Sequence, residues 1–142
     1  MVLYFRMIVA FDIGDKRIGV AATDELGIMA LPVETYFRKN TAEDVKYLVS
    51  LAERKKADLI VCGMPVNFDG SESVQTGKTQ KFIDLLRKET AIPVVTEDER
   101  FTTMEARRLL LEADMRRDKR KQVIDKIAAS YILEGYLQKH KQ

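Results

Sequence analysis

Apolar and polar positions change period several times along the chain, and each change marks an element. Met7–Phe11 is a continuous apolar run that ends at Asp12, the pattern of a strand buried on both faces. Gly14-Asp15-Lys16-Arg17 reads as a turn into a second strand, Ile18–Thr23, and Asp24-Glu25-Leu26-Gly27 as a turn into a third, Ile28–Tyr36. Pro32 falls inside that third run, and a residue without an N–H suits a sheet edge.

The period then shifts toward that of a helix. Asn40 and Glu43 are spaced as a capping box ahead of the stripe Val45, Leu48, Val49 and Ala52. Leu59–Cys62 is a short buried strand closed by Gly63, and the polar, turn-rich segment Pro65–Gly77 leads into a helix with Phe82, Ile83, Leu85 and Leu86 on its core side. Pro93–Thr96 predicts a parallel-type strand that runs into Glu97-Asp98-Glu99. Thr102 and Glu105 form another capping box, opening a helix with Ala106, Leu109, Leu110 and Ala113, and a final helix follows from about Arg120 to Leu137. A meander followed by αβαβαα predicts a five-stranded mixed α/β sheet with helices on both faces. Its antiparallel strands lie on one side of the first strand and its parallel strands on the other.

A length of 142 residues fits one domain, 1–142, and leaves no room for a two-lobed enzyme. No stretch approaches the roughly 20 apolar residues that span a bilayer. The apolar start is broken by Arg6, meets Asp12 at once and has no small-residue cleavage site, so it reads as a strand in a cytoplasmic protein rather than a signal peptide. One cysteine, Cys62, cannot form an internal disulfide, and the one histidine, His140, lies in a polar tail. Zinc sites of Cys and His are thereby excluded, as are Ser-His-Asp and Cys-His catalysis unless His140 folds back. Catalysis must run on carboxylates, lysines, hydroxyls or a hard metal ion.

Ligands of open α/β sheets gather at the carboxyl ends of the central strands. Asp12 lies at one such end, and Asp98 and Glu99 at another. In the final helix, positions 125, 128, 129, 132 and 136 share a face and read Asp, Ala, Ala, Ile, Tyr, so an acid heads an apolar stripe. Burying that acid is costly unless a cation or hydrogen-bond donors satisfy it. The small Ala128 and Ala129 would let the helix approach the sheet. Alternatively Asp125 pairs at the stripe's edge with Lys121 or Arg120, and Asp12 simply caps the turn at Gly14. Converging carboxylates without Cys or His suit one or two Mg²⁺ or Mn²⁺ ions, which can activate a water and stabilise the leaving oxygen of a phosphodiester.

The charge balance is a weak +2, but it is unevenly spread. Arg116, Arg117, Lys119, Arg120 and Lys121 crowd one stretch between two predicted helices, either a solvated surface or a neutraliser of nucleic-acid backbone. Lys16 and Arg17, in the glycine-flanked turn after Asp12, could meet a phosphate at the metal site.

With these motifs in place, DIGDKRIGVA from Asp12, GMPVNFDG from Gly63, DERFTT from Asp98 and DKIAASYILEGYL from Asp125, the chain resembles the YqgF family, also called RuvX, over nearly its whole length. The resemblance implies a ribonuclease H-like fold. It also implies metal-binding catalytic carboxylates at Asp12, Glu99 and Asp125, with Asp98 able to replace or supplement Glu99, and Arg100 joining Lys16 and Arg17 near the scissile phosphate. Arg116, Arg117, Arg120 and Lys121 are expected to grip the nucleic acid. The implied activity is nucleolytic maturation of the small-subunit ribosomal RNA precursor at its 5′ end by a monomer or weak dimer. The rivals are a junction-specific endonuclease acting on branched DNA and a non-catalytic nucleic-acid-binding factor. Family members usually carry a small residue or Thr in place of Asp15, and Gly-Pro in place of Ser73-Val74.

Overall fold

The central apolar runs become strands of one sheet because helices that follow them bury both of its faces. The computed structural model describes residues 6–66, 71–98 and 117–140, with the side chains of residues 117–122 excepted. Its strands are β1 (Ile8–Ile13), β2 (Arg17–Thr23), β3 (Ala30–Phe37), β4 (Leu59–Met64) and β5 (Val94–Asp98), in the order β3-β2-β1-β4-β5. β1 pairs antiparallel with β2 and parallel with β4, and β4 pairs parallel with β5. The helices are α1 (Thr41–Arg54), α2 (Val74–Glu89) and α3 (Arg117–Lys139).

Alternation along the strands divides the core in two. Val9, Phe11 and Ile13 of β1 share a face with Ile18, Val20, Ile60, Cys62 and Val94, and this face packs on Leu48 and Ala52 of α1 and on Phe82, Ile83 and Leu86 of α2. Ile8 and Ala10 point the other way and, with Ala21, Leu59 and Val61, pack on Ala129, Ile132, Leu133 and Tyr136 of α3. A fully buried side chain of this kind contributes roughly 1.5–3 kcal/mol, so both layers are needed to hold the sheet. The mixed sheet with helices on both faces is the architecture the periodicity predicts, and the ribonuclease H-like fold is the one the family resemblance implies.

The differences are local and have physical causes. β3 begins at Ala30, not Ile28, because Asp24 accepts hydrogen bonds from the backbone N–H groups of Ile28 and Met29 and extends the turn. Those two bonds also hold the Asp24 carboxyl below its usual range. Pro32 does sit on the edge strand, beside a register shift at Val20/Ala21 where Val20 faces Glu34 and Ala21 faces Pro32. Asn40 caps α1 by accepting from Glu43 N. The predicted turn segment ends earlier than Gly77: Ser73 and Thr76 make a reciprocal capping box, and α2 begins at Val74. Ser73-Val74 thus keeps the helix-starting role to which Gly-Pro is also suited, a cap residue followed by the first helical position. Leu85, predicted on the core side of α2, is 39% exposed, because it lies at the edge of the stripe centred on Phe82, Ile83 and Leu86. The basic stretch does not wholly separate two helices, since α3 starts at Arg117 and takes Arg117, Lys119, Arg120 and Lys121 into its first turns. The predicted helix at Thr102–Ala113 lies outside the described residues.

Candidate functional site

Asp12 is the fifth residue of β1 and by alternation points to the α3 face, with Ile8 and Ala10. Its ladder partner on β2 is Gly19. A Cβ on Gly19 would overlap the backbone carbonyl of Asp125 and lie 3.0 Å from Lys126 N, so only a glycine lets α3 settle this deeply on β2. Strand pairing therefore places Asp12 beside Gly19, and the close approach of helix to strand places Asp125 over it. The buried Ala128 and Ala129 continue the same close seam.

Asp125 is half-buried, and its Oδ2 accepts from Arg17 Nε at 2.6 Å. Arg17 lies two residues before Gly19 on β2, hence on the same face. The described partner of the Asp125 carboxylate is thus a cation from a distant strand. The local alternatives, Arg120 and Lys121, have side chains outside the described set. This ion pair answers the desolvation cost that made the acid conspicuous in an apolar stripe.

The turn between Asp12 and Arg17 is tied down from below. Gly14 N donates to Arg17 O at 2.9 Å, Arg38 N donates to Lys16 O at 2.9 Å, and Arg38 Nη1 donates to Gly14 O at 3.0 Å. Arg38 is itself fixed by Asp44, a fully buried carboxylate of α1 that accepts from Arg38 Nε at 2.8 Å, Tyr36 Oη at 2.9 Å and Lys39 N at 2.9 Å. Burial alone would raise the Asp44 pKa, but the Lys39 N–H, the Arg38 guanidinium and the Tyr36 hydroxyl outweigh it and hold the carboxyl below its usual range. Burial, aided by Asp44, pushes the Tyr36 phenol up to about 12. These buttressing residues escaped the sequence reading. The available signal was an Asp in the first turn of α1 with an Arg and a Tyr just upstream, which reads equally well as an ordinary helix start.

The remaining candidates fall into distinct groups. Asp98 pairs with Met64 at the end of β5 and, by alternation with Val94, belongs to the face of α1 and α2 rather than that of Asp12. Val95 and Glu97 are the β5 residues on the α3 face, and the buried Glu97 carboxylate is bound by Lys139 of α3. Lys16 is exposed in the turn. Asp15, where family members usually carry a small residue or Thr, is exposed and faces Lys78 of α2 at 3.7 Å. Glu99, Arg100 and Arg116 lie outside the described residues, as do the side chains of Arg117, Arg120 and Lys121. Among the described residues no group of three or more His, Cys, Asp or Glu side chains could hold a metal ion. Asp12 and Asp125 offer only hard oxygen donors, so the chemistry of this pair fits Mg²⁺ or Mn²⁺, with further ligands to come from elsewhere.

A family model described as "RuvX: Holliday junction resolvase" matches residues 6–139. The chain belongs to the RuvX family. Among curated relatives, a protein of Clostridium acetobutylicum named "Putative pre-16S rRNA nuclease" is 45% identical over 130 residues, covering 92% of this chain and 96% of its own. One of the same name from Halothermothrix orenii is 48% identical, with 92% and 93% covered. Among solved structures, the Thermus thermophilus RuvC in complex with a Holliday junction substrate superposes with a TM-score of 0.61 at 10% identity, over 96% of this chain and 97% of that one. The fowlpox virus resolvase with its Holliday junction DNA superposes at 0.58 and 15% identity, over 96% and 99%. At such identities these structures show the fold of this RuvX-family chain, which is that of ribonuclease H-like resolvases. No described helix is long and apolar enough to cross a membrane.

Proposed function

We propose that this RuvX-family chain is a divalent-metal-dependent nuclease that matures the 5′ end of the pre-16S ribosomal RNA. The observation that supports the reading is Gly19, which pairs with Asp12 in the sheet and receives the backbone of Asp125 from α3, at the carboxyl end of β1 where this sheet class binds its ligands. The names of the relatives support the RNA substrate. Asp12 and Asp125 would hold one or two Mg²⁺ or Mn²⁺ ions. Glu99 is the proposed third ligand, ahead of Asp98, which by alternation with Val94 falls on the face of α1 and α2 rather than on that of Asp12. The bound metal supplies an activated water and counter-charge for the leaving oxygen. Lys16 and Arg17, with Arg100, meet the scissile phosphate, and Arg116, Arg117, Arg120 and Lys121 hold the flanking backbone. The proposed setting is the cytoplasm.

The fold of junction-bound neighbours keeps four-way DNA as the alternative substrate. Resolution requires two sites related by the junction's two-fold symmetry, whereas RNA trimming requires one. Sedimentation and cleavage mapping, with pre-16S RNA, single-stranded RNA and four-way DNA under Mg²⁺, Mn²⁺ or chelator, separate the readings. A monomer or weak dimer cutting RNA beside structure is expected. A stable dimer making paired symmetric nicks in four-way DNA, inert on ribosomal RNA precursor, would establish the junction reading instead. Metal-dependent cleavage of either substrate excludes a non-catalytic binding factor.

A further inference from the structure

On the opposite side of the Asp12–Arg17 turn lies a cavity of about 360 Å³ between α1 and α2, lined by Ile13 and Asp15 of the turn region, Arg38 and Thr41 at the start of α1, and Gln75, Lys78, Thr79, Lys81, Phe82 and Leu85 of α2. We propose that this cavity is a second phosphate site, which takes a backbone phosphate of the same nucleic-acid strand on the far side of the turn from the scissile bond. The inference rests on the nucleic-acid reading of the main site but assigns it a further binding surface.

Three independent features select an anion. Lys78 and Lys81, one turn apart on α2, bring ammonium groups to the rim, and Arg38 adds a guanidinium over the Phe82 ring, 5.0 Å from its centroid. Arg38 is already matched by Asp44 and Lys78 faces Asp15, so Lys81 supplies the surplus positive charge. The first turn of α2 carries no acidic residue, unlike that of α1 with Glu43 and Asp44, so the positive end of the α2 dipole is not offset by its own side chains. Finally Thr79, 1% exposed, lines the cavity, and its Oγ1 is the one buried side-chain oxygen without a hydrogen-bond partner among the described residues. A buried hydroxyl left unpaired is costly, and an anion at this wall gives it an acceptor. Ile13 and Asp15 flank Gly14 just after Asp12, but Ile13 points to the α1 and α2 face and Asp12 to the α3 face, so a strand that reaches both sites passes over this turn. Asp15 opposes an anion here, and its neutralisation should strengthen binding.

The test is binding of a labelled RNA, with a single-stranded 5′ extension next to a hairpin, measured in chelator across a range of salt. The double variant Lys78→Gln/Lys81→Gln should bind roughly tenfold more weakly at low salt, and its log-log salt slope should fall by about 0.7, the value for one single-strand phosphate no longer neutralised. Asp15→Asn should bind more tightly than wild type. Thr79→Val, which removes the hydroxyl and keeps the shape, should weaken binding a few-fold without lowering the melting temperature. An unchanged affinity and slope in the double variant overturns the proposal even where the wild type cleaves RNA. A reduced slope in a protein that never cleaves supports the second site while removing the nuclease reading, and a wild type that binds no RNA removes both. Inorganic phosphate, titrated by calorimetry, distinguishes the source. If it binds the wild type and not the double variant while RNA affinity is equal in both, the cavity holds a free anion and the backbone assignment is overturned.

Discussion

Arg17 Nε stands 2.6 Å from Asp125 Oδ2, so a cation of the second strand already occupies the carboxylate proposed to hold metal. Metal and guanidinium then compete for one acceptor. Arg17→Gln should bind Mn²⁺ more tightly, by several-fold in a calorimetric titration, and cleave more slowly because the scissile phosphate is deprived of a cation. Weaker Mn²⁺ binding in this variant would show that Arg17 orients Asp125 rather than competing for it.

Asp12→Asn and Asp125→Asn should each reduce cleavage by orders of magnitude, since an amide keeps the shape and loses the charge that holds a hard cation. Circular dichroism should show the fold retained. Mn²⁺ should raise the melting temperature of the wild type through mass action and that of either variant much less. Wild-type cleavage in both variants would remove the site assignment.

Gly19→Ala tests the seam. The added Cβ meets backbone, which cannot rotate away, so α3 must shift off β2 at a cost of about 1–3 kcal/mol, the range for overpacking. The expected readings are a lower melting temperature and a reduced Mn²⁺-induced shift, because Asp125 moves with the helix. A melting temperature and metal response equal to wild type would show that the seam has room for a methyl group.

The element order and the two-faced core were legible because they depend on periodicity, which local residue types carry. Asp12 and Asp125 stand out as candidates for a related reason: an acid at the end of an apolar run and an acid heading an apolar stripe both break a pattern. The partner of Asp125 was not, since Arg17 is remote in sequence and reaches it only once β2 is paired and α3 is seated. Nor was the Arg38–Asp44 buttress, whose members look like unremarkable surface residues until α1 folds against β3 and closes over them. The role of Gly19 lay between these cases. It read as a turn-flanking glycine, yet its importance is that a helix backbone lies where a side chain would be.

Asp44 gives the protein an acid-sensitive joint. Its carboxyl binds a proton less readily when folded than its ordinary value of 3.8 implies, so the stabilisation it gives is complete above that value and is lost as pH falls through the lower, folded one. Asp44→Asn should therefore destabilise strongly at pH 7, less below about pH 4, and flatten the acid limb of a denaturant-midpoint profile. An Asn variant parallel to wild type at every pH would remove Asp44 from the acid response.

Replacing Arg116, Arg117, Arg120 and Lys121 with Ala should weaken nucleic-acid binding about equally across sequences. The log-log salt slope should fall by about one unit for each duplex phosphate that is no longer neutralised. An unchanged slope would identify the stretch as a solvated surface.

The helix that brings Asp125 is also the cover for Ile8, Ala10, Ala21, Leu59 and Val61. Because it is translated last among the described elements, a growing polypeptide holds Asp12 long before it holds a complete site. On the proposed reading, a nuclease made beside ribosomes is thereby silent during its own synthesis. A chain stalled before α3 exposes an uncovered apolar sheet face, the kind of surface that draws chaperones and proteases. The proposed Asp125 ligand and the cover for this apolar face arrive with the same segment.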